Sequence, residues 1–390
     1  MIVKKSYKVM LLPNNKQKTK MFLYAGATRY AYNWVIDKEK ESYENKNGFI
    51  SDYELRKQFT QFKKQDENQW LYGISNDVTK QAIKDACNAY KMFFEKKSAI
   101  PKYKSKKKSK PSFYQDCVKI KFTETYVKLE GIANNRKSNR QKLNWVRLSE
   151  KGRIPIDAKY MNPRISFDGI NWWISVTVEF EDSFKEIPKN DGIGIDLGIK
   201  DLAICSDGNI YKNINKTDKI RKIEKRKKRL QRKVSRKYQI NKKGQKYCKT
   251  HNIVKNETAI LKLNHRLTNI RKDYLHQTTT SIINREPRFI CIEDLNVSGM
   301  VKNRKLSKAI QQQSFYEFHR QLSYKCKNNN IQLILADRFF PSSKMCSCCG
   351  NIKDDLKLSD RVYKCDCGNI IDRDFNAAIN LKMYGERIAS

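Results

Sequence analysis

Five of the eleven cysteines in this chain fall between residues 346 and 367, and an acidic helix-start sequence follows directly. The order is Cys346-Ser-Cys-Cys349-Gly350, Cys365-Asp-Cys367-Gly368, then Asp372-Arg-Asp374-Phe-Asn376-Ala-Ala378. Paired cysteines on tight turns ending in glycine supply the tetrahedral thiolate geometry that zinc prefers. With no histidine close by, four thiolates are expected, from Cys346, Cys349, Cys365 and Cys367. Such a set leaves no open coordination position, so the zinc is structural. The second pair is one residue shorter than the first, and Cys348 is a spare thiol that could replace Cys349, although Gly350 favours Cys349. Any fold must therefore bring two short turns together just ahead of the helix that Asp374 opens. The other six cysteines are scattered singly, as small core residues are.

Two more acids sit in apolar stretches upstream. Asp196 ends Ile193-Gly-Ile-Asp196, and Glu293 ends Phe289-Ile-Cys-Ile-Glu293. A carboxylate in an apolar strand is costly without a partner. Asp196 alone could be a turn residue, and Asp374 alone an N-cap. In the order Asp, Glu, Asp on three elements, Asp196, Glu293 and Asp374 fit a site for two divalent metal ions that hydrolyses phosphodiesters. Alternation points Asp294 to the opposite face from Glu293, so it is left out of the site.

The charge balance agrees. Lys plus Arg is 81 against 41 Asp plus Glu, a net charge of +40, and an excess of that size suits a phosphate polyanion. No apolar run is long enough to span a membrane and no secretory leader is visible, so a cytoplasmic protein is expected, associated with the nucleoid of a prokaryote. Gly194-x-Asp-x-Gly198 could also be read as the phosphate loop of a sugar kinase or actin-like ATPase. That reading needs a second glycine-rich loop and a modest charge, and neither is present. No tyrosine or serine recombinase motif appears.

Periodicity divides the chain. Val3, Lys5, Tyr7, Val9 and Leu11 alternate as a strand, and a helix from Lys16 to about Asn45 follows with Leu23, Ala27, Tyr30, Ala31 and Trp34 on one face. Helical spacing continues through Leu55, Phe59 and Phe62, then from Val78 to Phe94. The aromatics of this half read mostly as core, and a few exposed ones could stack on bases. Pro101 to Lys110 is a basic linker, after which Val118–Phe122 and Trp173–Phe180 alternate as strands and Gly152–Ile156 is consistent with an edge strand. A β-domain of residues 1–15 and 113–182 is thus interrupted by a helical segment, 16–112. The remainder, 183–390, runs strand, strand, strand, long helices, strand Phe289–Ile292, helix over roughly Gln311–Lys327, and strand Ile331–Leu335. That is the order of an RNase H-like α/β fold. Its helical stretch forms an antiparallel pair within 216–276, turning around Asn241-Lys-Lys-Gly-Gln245. Between Lys216 and Lys237, thirteen Lys or Arg face only Asp218 and Glu224. This is too lopsided for a salt-bridged solvated face and suits contact with a nucleic-acid backbone.

The chain resembles TnpB, the RNA-guided DNA endonuclease family of bacterial insertion sequences, related to the miniature type V CRISPR effectors. Tyr30-Ala-Tyr-Asn-Trp34, Gly194-Ile-Asp-Leu-Gly198, Asp273-Tyr-Leu-His276, Glu293-Asp-Leu-Asn-Val297, Phe340-Pro-Ser-Ser-Lys344 and Asp372-Arg-Asp374 carry the likeness, which covers nearly the whole length. The resemblance implies a RuvC nuclease domain with a zinc-binding insert at 341–371, cutting both DNA strands with magnesium. It implies an oligonucleotide-binding-type β-barrel (wedge) domain interrupted by a helical recognition domain. It implies a guide RNA and a target double-stranded DNA read beside a short adjacent motif; a monomer is expected. The family's catalytic acids carry over onto Asp196, Glu293 and Asp374, with Asp196 bridging both ions, and its zinc ligands onto the four cysteines. The alternative is a nuclease-weak or inactive RNA-guided DNA-binding repressor on the same scaffold, which loss of one acid would signal.

Overall fold

The alternation from Val3 to Leu11 becomes strand β1 (Ile2–Leu12), with Val9 and Leu11 buried. The computed structural model describes residues 2–132, 144–181, 186–244, 246–357 and 360–389. It divides into two units, Met1–Ser183 and Phe184–Ser390; the expected boundary at 182/183 lies outside the described residues.

In the first unit β1 leads into helix α1 (Asn15–Glu44), which Asn14 and Gln17 open as a reciprocal capping box. Helices α2 (Asp52–Phe62) and α3 (Asn76–Phe94) follow, with a 3-10 turn at Asp66–Gly73 between them. Strands β2 (Ser112–Tyr114), β3 (Lys121–Phe122), β4 (Tyr126–Lys128), β5 (Trp145–Leu148), β6 (Tyr160–Phe167) and β7 (Trp172–Glu181) join β1 in one sheet of order β2-β6-β7-β1-β5-β4-β3. Every ladder in it is antiparallel, and β1 lies along β7 from Ile2↔Glu181 to Leu11↔Trp172. Helices and sheet share one core, with Tyr24 and Val35 from α1 packed among Val9, Phe113 and Ile174.

Three expectations change here. Leu23 and Tyr30 are exposed rather than on the buried face of α1; Met21, Tyr24 and Val35 are fully covered there instead, alongside the expected Ala27 and Ala31. The Tyr30 hydroxyl donates to Asn68 Oδ1, which explains its position at the edge. The strand expected at Val118–Phe122 is only Lys121–Phe122, because the Asp116 carboxylate accepts from the Val118 and Lys119 N–H groups and turns the chain. Gly152–Ile156 forms no strand: Gly152 has φ +65°, and Pro155 has no N–H to offer a ladder. The basic linker is irregular yet anchored, since Asn33 Oδ1 accepts from the Lys104 N–H and Asn33 Nδ2 donates to the Lys104 carbonyl.

The second unit is built on strands β8 (Ile193–Leu197), β9 (Asp201–Cys205) and β10 (Ile210–Lys212). Helix α4 (Asp218–Ile240) follows, then a two-residue ladder β11 (Lys242–Lys243) with β12 (Lys246–Tyr247), and helix α5 (His251–Ile283). Next come β13 (Phe289–Glu293), α6 (Val297–Met300), α7 (Ser307–Gln313), α8 (Phe315–Asn328) and β14 (Gln332–Ala336). Strands β15 (Val362–Lys364) and β16 (Ile370–Asp372) pair with each other before α9 (Arg373–Ala389). The main sheet has the order β10-β9-β8-β13-β14, antiparallel across β10-β9-β8 and parallel across β8-β13-β14. The single helix expected over Gln311–Lys327 is broken at Ser314, which has φ +58°. The break turns the Gln313 amide toward β8, where it donates to the Gly198 carbonyl. Helices α4 and α5 seal their own seam with Ile220, Ile223, Leu263 and Leu267. No helix among the described residues is long and apolar enough to cross a membrane.

Candidate acidic site and thiolate cluster

Register brings the first two acids together. Ile195 of β8 pairs with Ile292 of parallel β13, so Asp196 and Glu293 are the next residues on neighbouring strands, at one level and on one face. Gly194, two residues earlier on that face, meets α9: a Cβ there would lie 2.1 Å from the Ala378 carbonyl oxygen and 2.3 Å from the Lys382 nitrogen. Asp374 is one helical turn before Ala378, or about 6 Å along the axis. Asp196 is a similar distance beyond Gly194 along the strand. Direct backbone contact between strand and helix therefore delivers the third acid.

The electrostatics agree. Burial first, then repulsion from Glu293 and Asp374, pushes the Asp196 carboxyl well above its ordinary range, with Arg373 acting against the rise. Arg373 Nη2 donates to Asp374 Oδ1 at 3.1 Å, and Arg361 stands 3.7 Å from Asp374 Oδ2. Glu293 Oε1 accepts from the Ser342 hydroxyl. Asp372, not Asp374, caps α9: its Oδ1 accepts from the Asp374 and Phe375 N–H groups. Asp374 is thereby released from the capping role. Asp294 points elsewhere and pairs with Arg338. Asp196 thus feels the charge of both other acids, and carboxylate oxygens are the donors that hard divalent ions take.

The cysteines gather more tightly. Among the described residues, the Sγ atoms of Cys346, Cys349, Cys365 and Cys367 are the one group of potential ligands lying within 4.8 Å of one another. Cys346 Sγ is 3.7 Å from Cys367 Sγ, and Cys349 Sγ is 3.5 Å from Cys365 Sγ. Zinc–sulfur bonds of about 2.3 Å place tetrahedral thiolates roughly 3.8 Å apart, so the set fits that ion. Cys348 lies outside the cluster and is exposed. The short second pair closes because its turn is shorter too. The Cys365 N–H donates to the Asn369 carbonyl, whereas the Cys346 N–H reaches one residue further round, to Asn351. Gly350 and Gly368, at φ +77° and +89°, make both turns. Burial opposes ionisation of the Cys346 thiol, yet hydrogen bonds from the Asn369 amide and from the Cys349 and Cys348 backbone outweigh it and bring the thiol down to about 6.

A strap at 342–347 ties the two sites together. Asn380 Nδ2 donates to the Ser342 and Met345 carbonyls, at 2.7 and 2.6 Å. Asn376 Nδ2 donates to the Met345 carbonyl, and Asn376 Oδ1 accepts from the Ser347 N–H. Both asparagines are fully buried, one turn apart on α9. The helix that presents Asp374 thus also holds Cys346 and the Ser342 hydroxyl on Glu293. Sequence reasoning assigned no role to Arg373, Ser342, Asn376 or Asn380; Arg373, Asn376 and Ser342 stood inside the quoted motifs, and that proximity was the available signal.

The basic helix presents its charge outward. Of the thirteen cations between Lys216 and Lys237, all but Lys227 and Lys237 are exposed. Glu224 anchors the helix, accepting from Arg271 at 3.1 Å and from Gln312 at 2.8 Å. Beside it, a groove of about 760 Å³ is lined by Lys225, Lys228, Gln231, Arg271 and Lys308.

Family matches fall in three stretches of the chain. Residues 315–381 match the family profile described as "Cas12f1-like, TNB domain", 175–304 that described as "Probable transposase", and 1–48 that described as "Helix-turn-helix domain". In this structure residues 1–48 hold one strand and the single long helix α1. A Streptomyces pristinaespiralis protein named "Putative RNA-guided DNA endonuclease" is 30% identical over 384 residues, covering 98% of this chain and 90% of that one. The Escherichia coli K12 protein named "Putative RNA-guided DNA endonuclease InsQ" is 28% identical, covering 98% and 92%. Among solved structures, Cas12f1 in its complex with single guide RNA and target DNA shares the fold, with a TM-score of 0.58, 13% identity, and coverage of 98% and 99%.

Proposed function

This chain belongs to the TnpB family of RNA-guided DNA endonucleases from transposable elements, and we propose on that premise that it is a guide-RNA-directed, magnesium-dependent nuclease that cleaves double-stranded DNA beside a short adjacent motif. What supports the reading is the β8–β13 register, which sets Asp196 level with Glu293, together with the Asp196 carboxyl, raised by burial and by the charges of Glu293 and Asp374. Asp196, Glu293 and Asp374 would hold the magnesium. When bound, the metal supplies an activated water and stabilises the leaving oxygen. The chain's own part is positioning. The β8–β13 register sets Asp196 beside Glu293, Ser342 orients Glu293, and the Asp372 cap leaves Asp374 free. Sheet order β10-β9-β8-β13-β14 supports a RuvC-type, RNase H-like domain for the second unit. The all-antiparallel sheet of the first unit supports the oligonucleotide-binding-type β-domain, with 16–112 as the helical recognition part. Cys346, Cys349, Cys365 and Cys367 would hold a structural zinc ion. The exposed cations of α4 would grip guide or target backbone without reading sequence.

The Asp196→Ala chain tests this. It is expected to co-purify with a defined guide RNA and to bind matching DNA, while cutting neither strand; undiminished cleavage would remove the triad from the mechanism. A repressor without nuclease activity is disfavoured because all three acids are present.

A further inference from the structure

Where the ends of α1 and α3 approach each other, the first unit opens into a cavity of about 820 Å³. Tyr43, Phe49, Tyr90, Phe93 and Phe94 wall it, and Glu39 lies within. The Phe49 and Phe94 rings meet edge to face at 5.7 Å, and Phe94 leans on Tyr90 at 6.3 Å. Such an aromatic cluster is ordinarily closed over, yet Phe94 is 55% exposed. Glu39 is the opposite case, a carboxyl only 5% exposed. Its Oε2 accepts one long bond, 3.4 Å from the Ile50 N–H, and its Oε1 has no hydrogen-bond partner. A buried acceptor without a donor is destabilising. The site is therefore half built: open ring faces, and at depth an oxygen that lacks an N–H.

A flat heteroaromatic group with an N–H edge completes both halves. The +40 chain selects among such groups in favour of those carried by nucleic acid; at the cavity itself exposed Lys40, whose ammonium donates to the Tyr103 hydroxyl, and Glu44 complete the lining. We propose that this cavity receives an unstacked nucleobase from a single-stranded segment, stacked on Phe94 and Phe49 with an N–H donated to Glu39 Oε1. The site is separate from the acidic triad, and the proposal does not depend on cleavage.

The test uses the full chain and the four ribonucleosides adenosine, guanosine, cytidine and uridine, whose lack of phosphate silences the basic surfaces. Saturation-transfer NMR is expected to show contact with the base protons of at least one nucleoside. Phe94→Ala and Glu39→Leu are each expected to weaken that binding about tenfold with no fall in melting temperature, and Asp196→Ala to leave it unchanged. Absence of transfer to any nucleoside in the unmodified chain overturns the proposal. So does full affinity in Glu39→Leu, or equal competition by toluene, since either would make the cavity a plain apolar groove.

Discussion

Gly194→Ala is the sharpest test of how the acidic site is assembled. The added methyl would lie 2.1 Å from the Ala378 oxygen and 2.3 Å from the Lys382 nitrogen, both backbone atoms of α9, where ordinary contact begins near 3.4 Å. No side chain can swing aside to relieve this, so strand and helix must separate by more than about 1 Å. Overpacking of this kind costs about 1–3 kcal/mol. In a unit of this size that is a drop of roughly 2–12 °C in melting temperature. The functional cost is larger, because Asp374 rides on the helix that withdraws. A 1 Å misplacement of a reacting group is worth about a hundredfold in rate. Differential scanning fluorimetry and single-turnover cleavage of a plasmid matching the co-purified guide measure the two effects. Gly26→Ala is the control: the same methyl on α1 meets nothing within 4 Å and is expected to leave the melt unchanged or raise it. If Gly194→Ala melts within a degree of the parent and cuts at full rate, the close strand–helix contact does not set the site.

Three other outcomes follow from the same geometry. Elemental analysis is expected to find one zinc per chain in Cys348→Ser and none in Cys367→Ser, because only the latter belongs to the sulfur cluster. The Asp372→Ala chain should lose about 1 kcal/mol of stability with the α9 cap, read as a lowered denaturation midpoint, and part of its cleavage as Asp374 shifts. In chelator, Asp196→Asn should melt higher than the parent at neutral pH. The folded site raises the Asp196 carboxyl, so it binds the proton more tightly than the unfolded chain. The parent therefore loses stability as pH rises from the ordinary carboxylate range toward that raised value. Asparagine removes this loss, and magnesium should raise the melt of the parent but not of the variant; parallel melt-versus-pH curves for the two chains would refute the repulsion.

Much of this was legible in the sequence because the signals are local or periodic. The glycine-ended cysteine turns named the cluster, and the apolar runs before Asp196 and Glu293 named both strands. What stayed hidden depends on where distant segments land. The Asn380 amide on the Ser342 and Met345 carbonyls leaves no periodic trace. Nor does Arg373 as counter-ion to Asp374. Alternation misled at Val118–Phe122, where one aspartate turned the backbone, and the edge strand expected at Gly152–Ile156 did not form, since Gly152 turns the chain and Pro155 lacks an N–H. The break at Ser314 is invisible to helical spacing, which runs through it unchanged.

The α4–α5 hairpin has a consequence for variation in length. Its base closes on itself through Ile220, Ile223, Leu263 and Leu267, and the chain leaves the sheet after β10 and returns at β13. Matched insertions or deletions of whole turns in both arms would alter how far the positive surface reaches while leaving the three acids in register. The reach of the grip on nucleic acid and the chemistry of cutting can therefore diverge independently.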